Sequence, residues 1–422
     1  MKAITSAILI GTAQISKIIL GLFLIKVIAL YLGPEGLGRL GHLISLVAFL
    51  AIISGGGIQD GIVKYVSEYK QKPVYLIRFI NTSASYSLII SLFLLVIFSV
   101  FSREMALFLF SDKSLYWTVI AVGFFQVLMA FNKLVSSVAN GFKDTKVFAI
   151  SQVFGNLLAI PLIWWLVYAY GLVGGIFAIF ISFLVTFFPL LYFYKKSFAW
   201  RFRKLRVGRR KSYDKLYGFS LMALVSAVTF PLVETYIRQM MISTSGYDQA
   251  GVWQAAIKIS SVYIGFFGLF LAYYFVPSVS PIKCVETIKN LVVKYMIVIG
   301  GLFGVGALFF YAGRSFFIPL LLSDEFLILS DVIHFQLVGD LFKVIAFVIG
   351  FVFVAKAFIW VYVVIEILQG VLLITFTSLL YGQNPDIKSV FEAYALTNFI
   401  FLVIVSSLFY FYTKSPKFRG EK

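Results

Sequence analysis

Acidic residues are scarce in this chain of 422: 18 Asp and Glu stand against 36 Lys and Arg, and charged residues of both signs make up only 13% of it. So little charge excludes a soluble globule, which needs far more polar surface to cover its core. Cysteine is limited to Cys284, which excludes an internal disulfide. With only His42 and His334 beside it, no metal site is expected. Neither a P-loop, a zinc-hydrolase motif nor a Ser/His/Asp arrangement is visible. The Gly55-Gly-Gly57 run is no phosphate loop, having no Lys or Ser/Thr after it. Its reading is close helix packing, or a flexing point beside Asp60. No cofactor is expected, and without an ATPase any transport must be downhill, ion-coupled or driven by a partner.

What the chain has is apolar length: 61% hydrophobic residues and a mean hydropathy of +0.97. The runs are long enough to cross a bilayer as helices and lack the alternation of an outer-membrane barrel. Breaks at Gly, Pro and charge clusters place helices near 5–31, 41–65, 75–101, 115–139, 147–169, 172–194, 216–242, 250–276, 289–313, 328–354, 357–381 and 389–413. The expected fold is an all-α polytopic membrane protein, its twelve helices forming two six-helix bundles around a central cationic cavity. Lys17 and Lys26 interrupt the first run and no small-residue cleavage site ends it, so it reads as a retained helix rather than a signal peptide.

The net charge of +18 would suggest a nucleic-acid partner in a soluble protein, but here the placement of the cations explains it without one. Ten of the 21 residues in 195–215, KKSFAWRFRKLRVGRRKSYDK, are basic. A short loop this cationic is held on the cytoplasmic side. With the N-terminus inside, 25 Lys and Arg fall in cytoplasmic stretches and 5 outside, which gives cytoplasmic N- and C-termini. The chain divides into an N-terminal bundle 1–194, a basic cytoplasmic linker 195–215 and a C-terminal bundle 216–422. The linker's Phe198, Trp200 and Phe202 suit a headgroup interface, with contact to cargo or a partner as the alternative. The outside connections are short, which leaves no room for a separate catalytic domain there.

A weak repeat links the halves: Gly33-Pro-Glu-Gly-Leu-Gly38 and Gly246-Tyr-Asp-Gln-Ala-Gly251 share G-x-[acid]-x-x-G, both on the same side of the membrane. Two halves of equal orientation are what a parallel repeat gives.

Ionisable groups deep in apolar helices are the functional candidates, because each is costly unless it meets water, a partner or cargo. They are Lys17, Lys26, Asp60, Lys133, Glu234, Arg238, Lys258, Asp340, Lys343 and Glu366, with two cations in excess. Lys17, Lys26, Arg238 and Lys258 are candidates for binding an anionic ligand, and Lys133 for the same or for snorkelling to the interface. Asp60, Glu234, Asp340, Lys343 and Glu366 are candidates for coupling or gating. Glu234 and Arg238 are spaced i, i+4 and Asp340 and Lys343 i, i+3, so each pair can meet along one helix face, as a structural bridge or as part of a mechanism. Gln254, Lys258 and Ser261, like Gln336, Asp340 and Lys343, form polar stripes that call for a wet face. Pro231 should bend its helix.

Several stretches resemble a known family: Phe219 to Pro231, Gly251-Val-Trp-Gln254, Phe335-Gln-Leu-Val-Gly-Asp-Leu-Phe-Lys343, Val354-Ala-Lys-Ala357, Leu32 to Gly38 and Gly61 to Val66. They are similar to the Wzx-type translocases of O-antigen and enterobacterial common antigen, most of all to the lipid III flippases. That family lies in the multidrug/oligosaccharidyl-lipid/polysaccharide exporter superfamily. The resemblance implies a protein that moves undecaprenyl-pyrophosphate-linked oligosaccharide from the cytoplasmic to the periplasmic leaflet of the bacterial inner membrane by alternating access. Lys17, Lys26, Lys64, Arg238, Asp340, Lys343, Lys356 and Glu366 match the family's charged positions, whereas Asp60 and Lys258 depart from its uncharged polar ones. Besides cargo and membrane lipids, a glycan polymerase and a chain-length regulator are implied partners. The alternatives are an ion-coupled drug exporter of the same superfamily, for which an acidic cavity is expected, a membrane glycan polymerase or ligase, and an assembly subunit without transport.

Overall fold

Three glycines, Gly33, Gly171 and Gly246, have positive φ of 62°, 53° and 85° inside otherwise unbroken helical stretches. Side-chain-bearing residues rarely adopt that conformation, so glycine is the residue that lets the chain turn there without a loop. In the computed structural model the described residues are 2–142, 145–195, 210–282, 284–356 and 358–414. Most of the basic stretch, including Phe198, Trp200 and Phe202, and the tail from 415 lie outside them.

The helices are α1 Lys2–Ile53, α2 Gln59–Tyr69, α3 Pro73–Val100, α4 Ser102–Phe110, α5 Tyr116–Gly141, α6 Thr145–Leu184 and α7 Phe187–Lys195, then α8 Arg210–Phe270, α9 Val276–Val279, α10 Val285–Ala312, α11 Arg314–Leu321, α12 Leu329–Ala355, α13 Ile359–Gln383 and α14 Ile387–Lys414. Among the described residues nine segments are long and apolar enough to cross a membrane. Three of them, Gly11–Tyr69, Ala149–Tyr192 and Ala227–Phe270, are of double length and contain the three turning glycines, so each reads as two crossings. This is the all-helical polytopic membrane protein expected from the sequence.

Packing divides the chain into two units, one of Met1–Leu32 with Arg39–Pro231 and the other of Gly33–Gly38 with Leu232–Lys422. The first has a core around Ile62, Val66, Phe79, Val135 and Leu190. The second is built around Phe275, Ile299, Val348, Phe353 and Phe401. Apolar side chains also cover the outside: Val305, Leu308 and Phe309 on α10 are each about 70% exposed. Lipid is as apolar as a core, so helices here are held by close packing and internal polar contacts.

Close packing explains the repeated glycines. A methyl group on Gly251 would overlap the carbonyl oxygen of Pro34, and one on Gly38 would overlap that of Tyr247. The repeat therefore has two physical jobs in each copy. Its first glycine turns the chain, and its last lets the 33–38 and 246–251 turns cross backbone to backbone. Gly251→Ala should cost about 1–3 kcal/mol through overpacking. By contrast Gly304→Ala, with open space around it in α10, should be neutral or gain about 1 kcal/mol of helix propensity. Thermal unfolding of the detergent-purified variants checks both, and equal melting temperatures would refute the crossing's importance.

Gly55, Gly56 and Gly57 have φ of 76°, 87° and 66° and break the second crossing before α2 begins. A Cβ on them would lie 2.5 Å from Ser87 Oγ, 2.6 Å from Tyr86 Cε1 and 2.5 Å from Ala223 Cβ. The run is thus both an interruption beside Asp60 and a close contact. Helix α8 runs through Pro231 without leaving helical torsions, and along the chain the first packing unit ends at that residue. Its end is a π-turn, Leu271–Phe275, ahead of Pro277.

A second repeat was not visible to periodicity. Ser111-Asp112 follows α4 and Ser323-Asp324 follows α11, and a 3-10 turn begins or lies directly after each. Each short helix carries an arginine near its start, Arg103 over the Tyr116 ring at 5.6 Å and Arg314 over Tyr311 at 4.3 Å. Backbone and side-chain contacts with Ser114 hold the Asp112 carboxyl below its usual range.

Candidate functional site

Asp340, in the middle of α12, is fully buried and accepts hydrogen bonds from several side chains. Tyr394 of α14 donates to its Oδ1 at 2.6 Å. Its Oδ2 accepts from Ser260 at 2.6 Å and Tyr263 at 2.5 Å, both on α8, and from Gln336 one turn earlier at 3.4 Å. Gln336 also donates to Ser260 at 2.9 Å. Tyr394 fits because Gly339 has no side chain: a Cβ there would lie 2.6 Å from the ring. The network continues through Asn398, which donates to the Tyr394 carbonyl and accepts from Gln369 of α13. A buried carboxylate costs several kcal/mol unless its lone pairs are filled, and here three helices fill them.

Lys343 lies within electrostatic reach of both Asp340 and Glu234, and its ammonium is 5.8 Å from the centre of the Tyr394 ring. The stripe Gln336, Asp340, Lys343 was expected to need a wet face. Its first two members are instead buried, because hydroxyls from α8 and α14 take the place of water. The stripe Gln254, Lys258, Ser261 runs from a buried amide to an exposed hydroxyl.

Arg238 has no exposed surface. Its Nη2 donates to Gln254 Oε1 at 2.5 Å and lies 3.8 Å from Glu234, and the guanidinium faces the Trp253 ring at 5.9 Å. The i, i+4 pair read from spacing is present. Gln254 and Trp253 follow the Gly246 turn, so the arginine ties the two limbs of α8 together. Lys258, half-buried, is within electrostatic reach of Glu234 and Arg238.

In the other unit Lys17 is exposed and Lys133 half-buried, and Lys133 interacts electrostatically with both Lys17 and Asp60. Asn156 donates to Ser16, beside Lys17, at 2.8 Å. Lys26 is half-buried on the same helix, while Glu366 is half-buried on α13 one turn after Tyr362. The candidates therefore form two groups: Lys17, Asp60 and Lys133 in one unit, and Glu234, Arg238, Lys258, Asp340 and Lys343 in the other. Ser260, Tyr263 and Tyr394 were missed, since single hydroxyls in apolar helices carry no charge signal. Ser260 and Tyr263, one turn apart, and Gln336 and Asp340, spaced i, i+4, were the available hint.

Lys356 serves the fold instead. Its ammonium contacts the carbonyls of Val279 at 3.1 Å, Ser280 at 3.4 Å and Ile282, tying the end of α12 to the turn after α9. No group of three His, Cys, Asp or Glu that could hold a metal occurs among the described residues.

Two packing units of apolar helices, each with ionisable groups set within its spans, define the class of a polytopic membrane protein. The family described as polysaccharide biosynthesis protein matches residues 4–283, and the chain belongs to that family. It is 27% identical over 405 residues, 94% of this chain and 96% of the relative, to the lipid III flippase of Escherichia coli K12. Among solved structures it resembles an inward-facing multidrug resistance MATE transporter of the MOP superfamily, with a TM-score of 0.75 at 14% identity over 93% of this chain and 94% of that one. It also resembles the lipid II flippase MurJ in an inward closed conformation, at 0.70 and 14%, over 96% and 87%.

Proposed function

We propose that the chain is a flippase for undecaprenyl-pyrophosphate-linked oligosaccharide, moving it from the cytoplasmic to the periplasmic leaflet of the inner membrane by alternating access. The cargo serves O-antigen or enterobacterial common antigen assembly. The observation that carries the reading is the set of membrane-embedded lysines that keep exposure, Lys17 above all, in a chain similar along its length to a lipid III flippase. A pyrophosphate diester is anionic, and ammonium groups offered from an apolar span give it charge-assisted hydrogen bonds that lipid cannot. Lys17, Lys26 and Lys258 take this role. Arg238 supports it by holding Gln254 and the limb that carries Lys258. Asp60, Glu234, Asp340, Lys343 and Glu366 serve coupling or gating.

A drug exporter is the second reading, favoured by the likeness to a multidrug transporter fold. Exposed lysine suits cationic drugs poorly. The chemistry is transport rather than catalysis, and a glycan polymerase and a chain-length regulator are the partners that would use the delivered cargo.

Deleting the gene and identifying which lipid-linked glycan accumulates in the cytoplasmic leaflet tests the reading. A strain that accumulates none contradicts it. The proposed topology places the bundles at 1–194 and 216–422 with the basic linker 195–215 and both termini in the cytoplasm. Reporters fused near 205 and after the C-terminus should report cytoplasm and one near 246 periplasm. A periplasmic signal at 205 would overturn that topology.

A further inference from the structure

Asp340 has four donors and one of them differs from the rest. Ser260, Gln336 and Tyr394 are buried, whereas Tyr263 keeps partial exposure while its hydroxyl reaches Oδ2 at 2.5 Å. The Tyr263 ring is steadied by Phe303 of α10, 5.3 Å away between centroids. We propose that Tyr263 is the relay through which Asp340 exchanges its proton, and that Tyr394 is a positioning residue that fixes the other carboxylate oxygen. The proposal rests on the coupling role given to Asp340 above.

In the relay the Tyr263 O–H bond breaks as its proton bonds to Asp340 Oδ2. In the proposed step the phenol oxygen takes a proton from a hydronium that reaches the partly exposed tyrosine, so the tyrosine ends neutral and the carboxylate becomes a carboxylic acid. The reverse step releases the proton by the same path. Tyr394 is less suited to this part, being a buried residue whose ring is seated against Gly339. The groups facing Asp340 are Ser260 and Tyr263 from α8, Gln336 and Lys343 from its own helix and Tyr394 from α14. Glu234 acts on Lys343 in turn. When Asp340 is protonated, Lys343 loses an anion and its balance tips toward Glu234. Proton exchange is thereby linked to the α8 limb that holds Arg238.

The test is infrared spectroscopy of the purified full-length protein, following the carboxylic acid carbonyl band as pH is changed and its shift on transfer to heavy water. Asp340→Asn assigns the band. Tyr263→Phe should slow the shift about a hundredfold, the usual scale for removing a positioned proton carrier. Tyr263→His, which restores such a carrier, should return most of the rate. Tyr394→Phe should leave the rate and move the band's pH midpoint, because Oδ1 loses its donor. Wild-type exchange in Tyr263→Phe would overturn the proposal and pass the route to Lys343. The absence at every pH of a band that Asp340→Asn removes would overturn it as well. No cargo is needed, so a failure here with normal flipping strikes this inference alone. Wild-type protein that moves no lipid-linked glycan would strike the proposed function.

Discussion

Replacing Arg238 with Ala should remove most of the protein from the membrane rather than slow its transport. The guanidinium is fully buried and joins Glu234 on its own limb of α8 to Gln254 on the next. Truncation would leave that carboxylate and amide facing each other across the space of a large side chain. Breaking a fully buried pair from one side costs about 3–5 kcal/mol; Glu234 keeps 24% of its side-chain surface, so the loss sits at or below the lower end of that range, still a large share of the roughly 5–15 kcal/mol that holds a domain folded. Arg238→Lys should lie between, since it keeps the charge and loses the planar fork that spans both partners. The checks are membrane abundance and thermal unfolding in detergent. Normal abundance with lost transport would return Arg238 to direct contact with cargo, the role its charge suggests in the sequence.

Lys17 should behave in the opposite way. It is exposed within a membrane span, so Lys17→Gln removes no packing and should leave abundance and melting unchanged. If its ammonium holds a pyrophosphate oxygen, the lost charge-assisted hydrogen bond is worth about 1.5–3 kcal/mol, or about 10- to 150-fold in cargo movement. Lys258→Gln should lose a similar factor. The double variant should fail to complement a deletion strain in which each single variant supports partial glycan assembly. Full complementation by the double variant would contradict a cargo-binding role for these lysines.

These contrasts show what could be read before the fold was known. The crossings and the location of the charged groups were legible because both rest on composition along the chain: apolar runs of bilayer length, and charges that are expensive inside them. The Glu234–Arg238 pair was legible because it lies along one helix. Spacing could not reveal the partners of Asp340, because Ser260, Tyr263 and Tyr394 reach it from other helices. Nor could it tell an arginine clamped by Gln254 from a lysine left exposed, since both read as cations in apolar helices. The G-x-[acid]-x-x-G repeat was visible as a pattern, but its purpose emerged only when Gly38 and Gly251 were found at a backbone crossing. Helices α4 and α11 were missed because short helices lack the length and apolarity that identify a span.

The most direct measurement is flipping by purified protein in proteoliposomes that contain a fluorescent undecaprenyl-pyrophosphate oligosaccharide, read by an impermeant quencher added outside. The account predicts exchange between leaflets well above that of protein-free vesicles, reduced by Lys17→Gln and Lys258→Gln, with the glycan's length and composition unchanged. Exchange no faster than in empty vesicles under any imposed ion gradient, or a cargo whose glycan has been extended or transferred, would contradict it.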